Sequence, residues 1–147
     1  MKLADALSGV HRLFLDTAPV IYYVENVSPH RALMDALVQR CQGGTLRFVT
    51  SPITLAECLV LPLRRGNRPL AESFQRVITR GAATEYAGID RVAELAAGLR
   101  ATLNLTLTDA FQAACATTAG CEAFLTNDHD LKRVSGLRVL VLDELEL

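Results

Sequence analysis

Four acidic residues stand in settings that invite chemistry. Asp16 closes the apolar run "RLFL", Glu57 interrupts the apolar segment "ITLAECLV", Asp109 opens the small-residue stretch "LTDAFQAACATTAG", and Asp128 follows "FLTN". Each also has an ordinary use. An acid after a strand or at a helix start can cap the helix or meet its dipole, Asp128 can close an Asx turn in "NDHD", and Glu57 can face solvent. Together they behave differently. Four carboxylates brought to one place repel each other unless a cation neutralises them or some hold protons. An all-oxygen donor set selects hard cations, with Mg²⁺ or Mn²⁺ suited to two or three carboxylates and waters. Such an ion lowers the pKa of bound water and clamps phosphodiester oxygens during in-line attack, which is the chemistry of phosphodiester hydrolysis. Thr126 and Asn127, next to Asp128, are available to orient it or its waters.

The elements that must position these residues can be read from patterning. "RLFLD" (12–16), "TLRFVT" (45–50), "EAFLT" and "LRVLVL" read as buried strands, and "ATEYA" (83–87) as a weaker one. Between the first two, a helical stretch runs to Cys41, interrupted near Ser28–Pro29 and ended by Gly43–Gly44. Ser51–Pro52 reads as an N-cap and first-turn proline for a helix over "ITLAECLV", with "PLRRGNRP" as a break before a more exposed helix over 70–80. Val92, Ala93, Ala96, Leu99 and Leu103 follow helical spacing, and residues 107–120 suit a helix packed closely on a sheet. Strands alternating with helices predict a three-layer α/β/α sandwich with a central, mainly parallel sheet. In such sheets ligands gather beyond the carboxyl ends of the strands, so Asp16 and Asp128 should share a rim that Asp109 can also face.

The 147 residues, 50% of them hydrophobic, support one domain spanning 1–147. A net charge of −1 excludes a globally basic nucleic-acid coat, so any polyanion site is local. Thirteen of the 15 basic residues are arginine, and several crowd residues 64–80. Cys41, Cys58, Cys115 and Cys121 lack metal-ligand spacing and read as reduced core residues, which fits a cytoplasmic chain. No stretch reads as a membrane span.

The segments "FLDTAPVIYYVE", "SPITLAECL", "LTLTDAFQAACA" and "AFLTNDHDL" together resemble the PIN-domain nucleases, in particular the VapC-type toxins of bacterial toxin–antitoxin pairs, in order, spacing and local context. The resemblance implies that Asp16, Glu57, Asp109 and Asp128 are the catalytic acids, with Asp16, Asp109 and Asp128 as metal ligands and Thr126 in the small polar position. It further implies a Mg²⁺-dependent endoribonuclease (Mn²⁺ a possible substitute), an RNA substrate, a cognate antitoxin and a homodimer. Asp130 falls where some relatives carry an additional acid, though helix capping explains it equally. His11 reads as structural, and His129 is not needed as a general acid. Two rivals are a PIN fold retained only for RNA or protein binding, and a haloacid-dehalogenase-like phosphatase, which needs a second acid where Ala18 stands. Residues 52–80 are expected to form a protruding helix pair whose apolar face accepts another chain.

Overall fold

The computed structural model describes residues 1–147. Five strands, β1 (Arg12–Leu15), β2 (Arg47–Thr50), β3 (Thr84–Tyr86), β4 (Ala123–Thr126) and β5 (Arg138–Val141), form one sheet in the order β3-β2-β1-β4-β5, and every pairing is parallel. Seven helices surround it: α1 (Leu3–Ala6), α2 (Thr17–Val24), α3 (His30–Gln42), α4 (Pro52–Arg64), α5 (Arg68–Arg80), α6 (Ala93–Leu103) and α7 (Leu107–Thr118).

The period-two geometry of the strands divides the core into two layers. Leu13, Leu15, Phe48, Ala123, Leu125 and Leu140 face Val20 of α2, Leu33, Met34 and Leu37 of α3, and Phe74 and Ile78 of α5. Phe14, Val49 and Phe124 face the other way, onto Ala96 of α6 and the alanines of α7. The rings of Phe14 and Phe124 stack at 4.9 Å between centroids. The small side chains of Ala110, Ala113, Ala114 and Ala116, all fully buried, bring α7 against the sheet. Gly120, at φ +71°, then turns the chain into β4, a conformation costly for any residue with a Cβ.

The alternating strands and helices follow the predicted pattern, including the break between α2 and α3 and the weak strand β3 at one edge. Two details differ. The helix begun at Pro52 does not stop at Pro62 but continues to Arg64 with Pro62 buried inside it. The proline removes one backbone donor, yet packing of α4 against α5 and α2 carries the helix on. The N-terminal residues form the short helix α1, held by burial of Leu3 and Ala6 and by a parallel bridge from Lys2 to Glu146, partners too distant in sequence for local patterning to reveal. No helix is long and apolar enough to cross a membrane.

From β1 the chain moves outward through β2 to β3, then returns over the sheet to place β4 on the opposite side of β1. The sheet order reverses between β1 and β4. At such a reversal the connecting segments leave in opposite directions and open a crevice beyond the strand ends.

Candidate active site

A cavity of about 340 Å³ fills that crevice, lined by Asp16, Thr17, Ala18, Ile21, Tyr22, Glu57, Asp109, Thr126, Asn127 and Asp128. The four acids come from four different parts of the chain: Asp16 follows β1, Glu57 projects from α4, Asp109 from the first turn of α7, and Asp128 follows β4. No Lys, Arg or His lines the cavity, so nothing in its wall offsets their charge.

The local bonding separates capping from other uses. Asp16 occupies the N-cap position of α2 but makes no side-chain capping bond. Its carboxylate instead accepts the Thr126 hydroxyl at 2.7 Å on Oδ2 and Gln112 Nε2 at 3.4 Å on Oδ1. At α7 the cap is Thr106, whose hydroxyl oxygen accepts the Asp109 N–H, so the Asp109 side chain is not required for that bond. Asp128 does cap, accepting the Asp130 N–H at 2.8 Å, while also facing the cavity. Glu57 is exposed at the cavity wall and accepts the Thr17 hydroxyl at 3.0 Å, so α4 buries no unpaired charge.

A buried polar network supports this arrangement. Gln112, fully buried in α7, donates through Nε2 to Thr54 Oγ1 at 2.7 Å as well as to Asp16, and accepts the Ser51 hydroxyl on Oε1. Thr54 in turn donates to the Leu15 carbonyl. Ser51 also receives the N–H groups of Ile53 and Thr54, the cap expected from "SP". Sequence patterning did not single out Gln112, Thr54 or Thr17. The available signal was a lone amide one turn after Asp109 in an otherwise small-residue helix, at the i+3 spacing that shares a face.

Electrostatics follow from this geometry. Burial pushes the Asp16 carboxyl above the ordinary range, the Thr126 hydrogen bond opposes that, and the charge of Asp109 adds to the rise. Burial also raises Asp109, with the Thr106 bond opposing and the charges of Asp128 and Asp130 adding to the rise. Both carboxyls are thus held where ionisation costs more than in water.

The remaining candidates lie further out. Asp130 is exposed and pairs with Arg133 at 2.6 Å. Asn127 lines the cavity, but its amide is committed elsewhere: Oδ1 accepts the Asp143 N–H, and Nδ2 donates to Asp143 Oδ2 at 3.2 Å and to the Tyr22 hydroxyl at 3.4 Å. His129 is exposed beside Glu144, outside the cavity wall. The four cysteines are free and buried, and burial pushes the Cys58 and Cys121 thiols up to about 12, leaving them poor nucleophiles and poor ligands.

Carboxylates and hydroxyls dominate the cavity's donor set, which fits a hard divalent cation. The acids do not form a ready-made cage of three or more ligands. An ion of the Mg²⁺ kind completes its shell largely with water, so it does not require such a cage.

No curated protein matches the chain by sequence. The fold is similar to that of VapBC2 from Rickettsia felis, solved bound to a DNA fragment from its promoter (TM-score 0.67, 17% identity, covering 88% of this chain and 98% of that one). It is similar at the same TM-score of 0.67 to the Mycobacterium tuberculosis VapC20 toxin, which cleaves the sarcin–ricin loop (16% identity, 86% and 98% covered). DNA-bound VapBC from Salmonella typhimurium aligns with TM-score 0.63 at 21% identity, over 90% of this chain and 98% of that one. The family profile for the PIN domain matches residues 13–137, a span that takes in all four acids and the switch point between β1 and β4. On that match the chain belongs to the PIN-domain family.

Proposed function

We propose that the protein is a single-domain, divalent-metal-dependent endoribonuclease and the toxin of a toxin–antitoxin pair. The observation that carries this is the convergence of Asp16, Glu57, Asp109 and Asp128, with no basic residue among them, on one cavity at the sheet's switch point. Asp16, Asp109 and Asp128 would hold the ion, Mg²⁺ or Mn²⁺, which supplies charge neutralisation and Lewis acidity toward the phosphodiester. Thr126 donates to Asp16 and so favours its ionised form against the cost of burial, Glu57 is held at the wall by Thr17, and Gln112 donates to the other Asp16 oxygen. The structural likeness to VapBC toxin–antitoxin proteins supports an antitoxin partner, and a homodimer and a cytoplasmic setting are part of the same proposal. Ala18 on the cavity wall leaves no second acid of the kind a haloacid-dehalogenase-like phosphatase uses.

The test is cleavage of a labelled single-stranded RNA by purified protein. Activity with Mg²⁺ or Mn²⁺, loss of activity in excess EDTA, and products bearing 5′-phosphate and 3′-hydroxyl ends are expected. Activity undiminished by EDTA, or 2′,3′-cyclic phosphate ends, would refute it.

A further inference from the structure

An acid-lined cavity repels the polyanion it is proposed to cut, so substrate must be attracted from somewhere else on the surface. Positive charge is concentrated in one place. The end of α4, the turn after it and α5 carry Arg64, Arg65, Arg68, Arg76 and Arg80, all exposed, against Glu72 alone. Residues 64–80 therefore hold a net +4, which leaves the rest of the chain at −5.

Arg64, Arg65, Arg68 and Arg80, together with Arg40 at the far end of α3, are the basic side chains without a hydrogen-bond or ion-pair partner, and Arg76 donates only to the Ser73 hydroxyl at 3.4 Å. Elsewhere Lys2, Arg12, Arg31, Arg47, Arg91, Lys132 and Arg133 sit in ion pairs, and Arg100 and Arg138 donate to backbone carbonyls. None of the five on the arm stands within ion-pair distance of a carboxylate. The dipoles of α4 and α5 account for Arg64 and Arg80, each in a last turn. They do not account for Arg68, which opens α5 at its positive end, where a cation is disfavoured. Arg68, Asn67 and Gln75 line a shallow cavity of about 400 Å³ on this arm.

The arm is continuous with the acids. Glu57 and Arg64 lie on the same helix, seven residues apart, which is two turns, one face and ~10 Å of rise. We infer that the α4–α5 arm is a second nucleic-acid subsite, where Arg64, Arg65 and Arg68 hold backbone phosphates of single-stranded RNA next to the bond being cut. It rests on the ribonuclease reading. The guanidinium forks match phosphate geometry, and a basic track leading to a negatively charged cleft is what a strand needs to enter it.

The test compares the full-length protein with Arg64→Ala/Arg65→Ala/Arg68→Ala and with Arg40→Ala/Arg47→Ala, whose arginines lie toward the other end of the sheet. A labelled single-stranded RNA is cleaved at fixed Mg²⁺ over a series of KCl concentrations, and binding of the same RNA is measured separately in EDTA. The arm variant should keep its melting temperature and kcat within about twofold while KM rises about tenfold. Its plot of log(kcat/KM) against log[salt] should flatten by about 2, since each single-strand phosphate contact contributes about 0.7 to the slope. Arg40→Ala/Arg47→Ala should match wild type. Unchanged KM and slope in the arm variant would overturn the inference, as would unchanged RNA binding combined with lost binding of a polyglutamate probe, which would assign the arm to an acidic protein. If wild type cuts no RNA, the ribonuclease reading fails separately. The EDTA binding comparison still decides the arm: loss in the arm variant alone supports it, and equal binding overturns it.

Discussion

The Thr126 hydroxyl donates to Asp16 Oδ2 at 2.7 Å and its oxygen accepts the Asp128 N–H at 3.0 Å, so one buried side chain ties together the acids that end β1 and β4. A threonine at the end of a buried strand would ordinarily add only packing. Here it sets where Asp16 points and part of its proton affinity.

Thr126→Val keeps shape and loses the hydroxyl. Removing the bond that lowers the Asp16 pKa should raise it further, moving the acidic limb of the kcat/KM profile to higher pH, with activity falling about 10–100-fold. Stability should drop by about 1–2 kcal/mol, because the Asp128 N–H loses its partner. Thr126→Ser should restore both. A pH–rate profile superimposable on wild type would show that the hydroxyl is only packing.

Asp16→Asn and Asp109→Asn should abolish cleavage while metal-free melting temperature stays equal or rises at pH 7. Both carboxyls have folded pKa values raised by burial, so the folded state binds their protons more tightly than the unfolded state. Their contribution to stability is therefore full below the unfolded value and is lost as pH rises through the raised folded one. The advantage of the Asn variants should thus appear at neutral pH and vanish at about pH 4, near the unperturbed aspartate value. Melting curves at the two pH values check this, and unfolding of either variant would mean that its carboxylate holds the fold together.

Adding Mg²⁺ or Mn²⁺ at neutral pH should raise the wild-type melting temperature by a few degrees, since an ion that binds only the folded protein stabilises it by mass action. Asp16→Asn should show little of this rise. An equal shift in both proteins would place the ion elsewhere.

Val60, Leu61 and Leu63 of α4 are 47%, 44% and 67% exposed, whereas Leu59 packs against the core. Leu61→Asp/Leu63→Asp should therefore spare the fold and weaken whatever protein covers this face. With the antitoxin co-expressed, cells carrying the variant should stop growing. If neutralisation persists and the purified toxin only becomes monomeric, the face belongs to self-association.

Much of this was legible in the linear chain because it is local. Ser51–Pro52 caps a helix wherever it folds, and apolar runs bounded by turn residues become buried strands separated by helices. Parallel strands share one direction, so acids written directly after β1 and β4 had to reach the same rim. The expected convergence of Asp16 and Asp128 needed nothing more than that.

Tertiary structure decided what depends on distant partners. Whether Asp16 caps α2 or faces the cavity turned on Thr126 and Gln112, about a hundred residues away, which outbid the helix end for its oxygens. Asn127 looked free to orient Asp128 or its waters, but Asp143 and Tyr22 engage its amide. Glu57 on an apolar helix was ambiguous until packing put it on the exposed wall beside Thr17. Local patterning reports which face of a segment avoids water. It carries no record of which side chain from another element arrives to compete for a carboxylate, because that is settled only when the layers close.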